Sequence, residues 1–221
     1  MKGKLVVIEG LDGSGKSTQF ERLIDFYTSK DVNIKGISFP NYEEESSALV
    51  KMYLSGDICK EAGEVNPYAA SSFYAADRYI SYKKYWEADY QSGAFILAAR
   101  YTTSNIIHQM SKLPKSEWTA FIDWLKDYEY TKMGMPTPDL VIYLDMPTSV
   151  SQKLMSERYG GDESKKDIHE QNREYLKTCE ISARFAAEAD NWVVISCTDG
   201  ERVRSIEEIS NDIIVAVDKI L

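Results

Sequence analysis

The sequence has 221 residues, 43% of them hydrophobic, enough to bury one sizeable core. Its formal net charge of −9 excludes the broad basic face that a nucleic-acid or membrane-surface partner requires. No apolar run approaches the ~20 residues of a membrane span, and the scattered Cys59, Cys179 and Cys197 with two histidines exclude a metal-spaced cluster and fit buried thiols in a reducing cytoplasm.

Met1-Lys2-Gly3-Lys4 leads directly into the apolar run Leu5-Val6-Val7-Ile8-Glu9, so a strand is expected there and no signal peptide. The next nine residues, Gly10-Leu11-Asp12-Gly13-Ser14-Gly15-Lys16-Ser17-Thr18, fit the phosphate-binding pattern G-x-x-x-x-G-K-[ST] between a strand and a helix. Glycines at these places let consecutive backbone N–H groups turn inward around a polyphosphate, and the following helix aims its positive end at the same anion. Gly10, Gly13, Ser14, Gly15, Lys16, Ser17 and Thr18 are therefore expected to bind a nucleoside triphosphate, and the loop alone does not choose among kinases, GTPases and ATPases. Lys16 reaches the terminal phosphates, and the Ser17 hydroxyl takes a position on Mg²⁺.

A helix is expected over 16–30, with Phe20, Leu23, Ile24 and Tyr27 on one stripe, and a second strand over 33–39, stopped by Pro40. Helices follow over 45–55 and 67–90, the latter opened by Asn66 as cap and Pro67 in the first turn. A third strand (94–98), helices over 103–110 and 116–130, a fourth strand (140–144) and helices over 148–157 and 168–189 come next. A fifth strand (192–196) and a helix over 205–220 close the chain. Five strands separated by helices imply an α/β protein: a parallel sheet covered by helices on both faces, in three layers. No repeat or linker interrupts it, so residues 1–221 read as one domain.

Three further segments sit where an open α/β sheet presents ligands, at the carboxyl ends of strands or beside them. Phe39-Pro40-Asn41-Tyr42 follows strand two, and Arg100-Tyr101-Thr102-Thr103-Ser104-Asn105 follows strand three. Between them, Tyr74 and Arg78 stand four residues apart on one helix face, ~6 Å along the axis. So placed, a ring can stack on a base while a guanidinium holds a phosphate.

In order and spacing these segments resemble the thymidylate kinases, a family of P-loop nucleoside-monophosphate kinases, from Lys4 to about Asp199. The carriers are the phosphate loop, Phe-Pro-x-Tyr at 39–42, Phe-Tyr-Ala-Ala-Asp-Arg at 73–78, Arg-Tyr-x-x-Ser-Asn at 100–105 and Pro138-Asp139-Leu140 in a strand ending at Asp145. The resemblance implies a P-loop NTPase fold, phosphoryl transfer from ATP to dTMP with Mg²⁺, and a homodimer. It also implies roles. Tyr74 stacks on thymine, Arg78 pairs with the acceptor phosphate, and Asn105 reads the base edge. Arg100 is a second phosphate-directed arginine, Asp12 faces the acceptor near its sugar and phosphate, and Phe39 and Pro40 line its pocket. Tyr42 reaches toward the acceptor phosphate. His108 either lies near the sugar or packs.

Gly13 stands where some members of the family carry a loop arginine, so a cation must come from elsewhere. A lid near 156–168, with Gly160-Gly161 as hinge, offers Arg158 first, then Lys165 and Lys166. The family usually reads Asp-Arg-Tyr after strand three, whereas this chain reads Ala99-Arg100-Tyr101. Loss of a carboxylate that organises Mg²⁺ waters or braces Arg100 implies slow turnover. Two alternatives stay open: a kinase for another monophosphate or a deoxynucleoside, and a nucleotide-binding relative with reduced turnover.

Overall fold

Strand β1 (Lys4–Gly10) is buried from Leu5 onward, because it lies in the middle of a sheet covered on both faces. The computed structural model describes residues 2–59, 63–158, 173–200 and 202–221. Around β1 run β2 (Ile34–Ser38), β3 (Phe95–Ala99), β4 (Leu140–Asp145) and β5 (Val193–Ser196), all parallel, in the spatial order β2-β3-β1-β4-β5. β1 pairs with β3 from Lys4 opposite Phe95 to Ile8 opposite Ala99, and with β4 from Val6 opposite Leu140 to Gly10 opposite Leu144. The order changes direction beside β1, so the loops after β1 and β3 open a crevice at the carboxyl edge.

Alternating side chains divide the core in two. Val6, Ile8, Phe95 and Leu97 meet Leu23 and Tyr27 of α1 (Lys16–Ser29) and Ile209 and Ile213 of α9 (Ile206–Val217). Leu5, Val7, Ile96 and Ala98 face the other layer, built largely from α5 (Thr102–His108), α6 (Trp118–Lys126) and α8 (Arg173–Ala189). On this alternation Ala99 shares the α1 side and Glu9 the opposite one. A smaller cluster joins Tyr53 of α2 (Ala48–Leu54) to Ala70, Phe73 and Tyr74 of α3 (Pro67–Ser81). Asn66 caps α3, its Oδ1 accepting from Tyr68 N at 2.9 Å, and Pro67 takes the first turn as expected.

Two expected helices contain π-helical turns. The run over 67–90 is α3, a π-helical turn at Tyr82–Trp86 and α4 (Glu87–Gln91). The run over 116–130 is a 3₁₀ turn, α6 and a second π-helical turn at Asp127–Lys132. A turn that bonds i to i+5 holds one residue more than the 3.6-residue period reveals. α7 (Thr148–Arg158) follows β4, and a short hairpin not expected from the sequence, β6 (Thr198–Asp199) with β7 (Arg202–Val203), follows β5. No helix among the described residues is long and apolar enough to cross a membrane. All three cysteines are buried free thiols.

Candidate active site

The phosphate loop leaves β1 through Gly10, whose φ of 156° disfavours an L side chain; a Cβ there would come within 2.5 Å of Ser14 Oγ. Gly15, at φ 86°, starts α1 with no side-chain cap, so the first N–H groups of the helix face the loop. Lys16 Nζ folds over the loop and donates to the carbonyls of Gly10 (2.7 Å) and Leu11 (2.8 Å). Burial, and then the neighbouring Arg100 charge, push its pKa down to about 8. An anion set beside Lys16 would reverse that shift. Ser17 and Thr18 are exposed in the first turn of α1.

Beside the loop lies a cavity of about 300 Å³, at the small end of ligand pockets. Asp12, Phe39, Pro40, Tyr42, Tyr74, Arg78, Arg100, Asn105 and His108 all line it, which brings together every residue expected at the acceptor nucleotide. Phe39 is buried, its ring tilted toward Tyr101 at 6.2 Å, and the Phe39–Pro40 peptide is cis. Tyr42 is half exposed at the mouth. Tyr74 is half-buried and meets Tyr53 edge-on at 6.4 Å.

Arg100 opens the turn after β3 in a left-handed backbone conformation, φ 67°, anchored by its N–H to the Ile8 carbonyl at 3.1 Å. Its guanidinium pairs with Asp12 Oδ1 and approaches His108 Nε2 at 3.0 Å. Guanidinium N–H groups only donate, so His108 Nε2 accepts and its Nδ1 carries the proton, toward Cys179 Sγ at 3.7 Å. Burial opposes the charge of Arg100, but Asp12 and then Glu9 outweigh it and hold the group above its ordinary range.

Arg78 is different. Fully buried, it gives both ends of its fork to Glu129: Nε to Oε2 at 2.7 Å and Nη2 to Oε1 at 2.6 Å. Its remaining edge, Nη1, lies 3.4 Å from the Tyr101 carbonyl. An arginine neutralised in place by a bidentate carboxylate is a poor ligand for a phosphate dianion. The geometry therefore does not support the expected pairing of Arg78 with the acceptor phosphate.

Two buried carboxylates that the sequence did not single out organise this region. Glu9 accepts from Tyr101 N (3.1 Å), Thr103 Oγ1 (2.7 Å) and Ser104 Oγ (2.8 Å), bracing the turn that carries Arg100. The brace expected to be lost with Ala99 is thus present, supplied by Glu9 and Asp12. Glu129 also accepts from Thr102 Oγ1 (2.8 Å) and Asn105 Nδ2 (3.4 Å). Both had a signal: each occupies a polar position on an apolar stripe, Glu9 after Leu5 and Val7, Glu129 four residues after Leu125. Gln109 was missed as well; its amide is buried in the cavity wall with neither end bonded among the described residues. The lid expectation falls elsewhere: Arg158 closes α7, and its side chain, with Lys165 and Lys166, lies outside the described residues.

The sequence model of the thymidylate kinase family matches residues 8–213. The chain belongs to the thymidylate kinase family. It is an enzyme, a dTMP kinase. Among thymidylate kinases, that of Plasmodium falciparum is 29% identical over 219 residues, 99% of this chain and 91% of that one. The thymidylate kinase of Schizosaccharomyces pombe is 26% identical over 220 residues, covering 99% and 93%. A solved thymidylate kinase structure from Candida albicans, 20% identical, superposes with a TM-score of 0.71 over 99% of this chain and 92% of that one, which agrees in fold with the five-stranded parallel sheet.

Proposed function

We propose that ATP lies in the phosphate loop and dTMP in the adjoining cavity, the acceptor phosphate at Arg100 and the base at Tyr74, Asn105, Gln109 and Arg78. One observation carries this reading: Asp12 stands between the two cations, paired with Arg100 and 3.8 Å from Lys16 Nζ. A donor phosphate at Lys16 and an acceptor phosphate at Arg100 would then meet at one point. The cavity's polarity supports the rest. Its end near the loop carries the available charge, and its far end is a neutral set of ring, amides and a compensated guanidinium. A phosphate suits the first and a nucleobase the second.

The acceptor's second pKa is about 6, so it is largely dianionic at pH 7 and needs no strong general base. Catalysis rests on alignment and charge. Arg100, aimed by Asp12, His108 and the turn that Glu9 braces, orients the acceptor oxygen, and Lys16 leaves its loop carbonyls for the transferring phosphoryl group. Mg²⁺ prefers oxygen ligands and keeps waters and substrate phosphates around it. The exposed Ser17 hydroxyl fits as its protein ligand, and the ion would neutralise charge on the triphosphate. Arg158, Lys165 and Lys166 remain candidates for the closing cation.

As a homodimer the chain would cover Leu49 and Met52 on α2 and Tyr79 and Ile80 on α3, which are exposed on two helices in contact. A single catalytic domain acting in the cytoplasm completes the reading. The test is a steady-state assay of ADP release with dTMP, thymidine and other monophosphates, on the parent and on Lys16→Ala, which should lose turnover while keeping its fold. Turnover of thymidine with neglect of dTMP, or Lys16→Ala within threefold of the parent, would overturn it.

A further inference from the structure

Glu129 touches two of the residues that face the cavity's far end. We infer that it is the positioning residue that decides which pyrimidine edge that end accepts. The inference rests on the far end being the base end, as proposed above.

The orientation of one amide decides the matter. Asn105 Nδ2 is 3.3 Å from the Ser71 carbonyl and 3.4 Å from Glu129 Oε1. Both partners can only accept, so the NH₂ group must face them. The amide oxygen of Asn105 is left for the cavity. Beside it, Glu129 takes the Nε and Nη2 positions of Arg78, and Nη1 gives one hydrogen to the Tyr101 carbonyl at 3.4 Å and keeps its second for a ligand. The far end therefore offers an acceptor next to a donor. Thymine and uracil match this with N3–H next to a carbonyl. Cytosine presents an unprotonated N3 and an amino group, setting acceptor against acceptor and donor against donor. Polar sites reject such a mismatch strongly, because their own buried groups are left unpaired. Without a carboxylate at 129, Asn105 keeps only the Ser71 carbonyl and Arg78 only the Tyr101 carbonyl, so both are held less firmly in these orientations.

The experiment measures kcat and KM for dTMP and dCMP in the parent, Glu129→Gln and Asn105→Ala. A glutamine can donate to Asn105 and hold only half of the arginine fork. Glu129→Gln should raise the dTMP KM about tenfold or more, keep kcat within about threefold at saturation, and lower the dTMP-to-dCMP ratio of kcat/KM about tenfold. A merely structural role would lower stability and leave the KM and the base ratio of the folded fraction alone. An unchanged KM and ratio would overturn the inference. If Glu129→Gln fails to fold, the double variant Arg78→Gln with Glu129→Gln removes both buried charges together, and retention of the parent ratio there overturns it equally. Asn105→Ala separates the two levels. A silent Asn105→Ala sinks the base-end reading, and the inference with it. A raised dTMP KM in Asn105→Ala with a silent Glu129→Gln sinks the inference alone.

Discussion

The two ends of the cavity each hold an arginine against a carboxylate, and the two pairs do opposite things. Arg100 meets one oxygen of Asp12, and the two side chains are 17% and 27% exposed. Arg78 meets both oxygens of Glu129, and those side chains are 2% and 0% exposed. A partly solvated, single-oxygen pair costs less to break than a sealed one, because water can take over from the lost partner. A sealed bidentate pair costs about 3–5 kcal/mol once one partner is removed, because the other is stranded. So Arg100 can turn to an arriving anion, and Arg78 is fixed scaffold. Residue type alone does not separate them.

The largest effect that tests this contrast is on stability. Arg78→Ala should cost about 3–5 kcal/mol by stranding Glu129, lowering the thermal midpoint by about 10 °C or more. It should also raise the dTMP KM more than that of ATP. A midpoint within a degree or two of the parent would end the contrast. Arg100→Ala should do the reverse. Its midpoint stays close to the parent, while kcat/KM for dTMP falls about 10- to 150-fold, the loss of one charge-assisted contact of ~1.5–3 kcal/mol. Melting as deep as that of Arg78→Ala would refute the reading of Arg100 as a releasable group.

A third test uses pH. Burial pushes the pKa of Lys16, at the loop end, and of Lys112, beneath Tyr53, from 10.5 down to about 8. Between pH 8 and 10.5 the unfolded chain holds protons that the native state has lost, so stability contributed by each lysine rises with pH across that window. Below pH 8 the cost of the buried charge is fully present. Buried thiols at Cys179 and Cys197, pushed up to about 12, and buried tyrosines such as Tyr143 pull the other way above pH 8, so the readout is a difference. In denaturant unfolding from pH 8 to 10, the nucleotide-free parent should gain about 1–3 kcal/mol relative to Lys112→Met. Saturating ATP should remove the Lys16 share and leave that of Lys112. A pH response identical in the parent and Lys112→Met would show that Lys112 keeps its proton. The smallest expected effect is that of Ala99→Asp. Arg100 is already braced by Asp12 and its turn by Glu9, so the new carboxylate, on the α1 side, should raise kcat only a few-fold and chiefly at limiting Mg²⁺.

Much of this was legible in the sequence, for physical reasons. Four of the five strands were bounded apolar runs and β2 a short mixed stretch stopped by Pro40, and all five lie within one residue of their expected ends. The phosphate loop was a local pattern, and the cavity-lining residues followed strand ends or shared one helix face. What stayed hidden was pairing at a distance. Nothing near Arg78 announces a partner 51 residues away, and the same stretch read locally fits a free phosphate-binding arginine. Glu9 and Glu129 showed only as polar positions on apolar stripes, and their work depends on donors that the fold delivers from distant segments. Hairpin β6–β7 is too short for periodicity to register.

The π-helical turn at Asp127–Lys132 gives the far end of the cavity an unusual dependence on chain length. Its wider loop holds one residue beyond what an α-helical turn would, and Glu129 is carried inside it. Removing a single residue from this turn would restore ordinary winding and rotate the chain beyond it by about 100° relative to α6. Composition would hardly change, yet the carboxylate would leave its three donors. Among kinases of this fold, a one-residue insertion or deletion there is therefore a change of substrate grammar, invisible to a comparison that counts only substitutions.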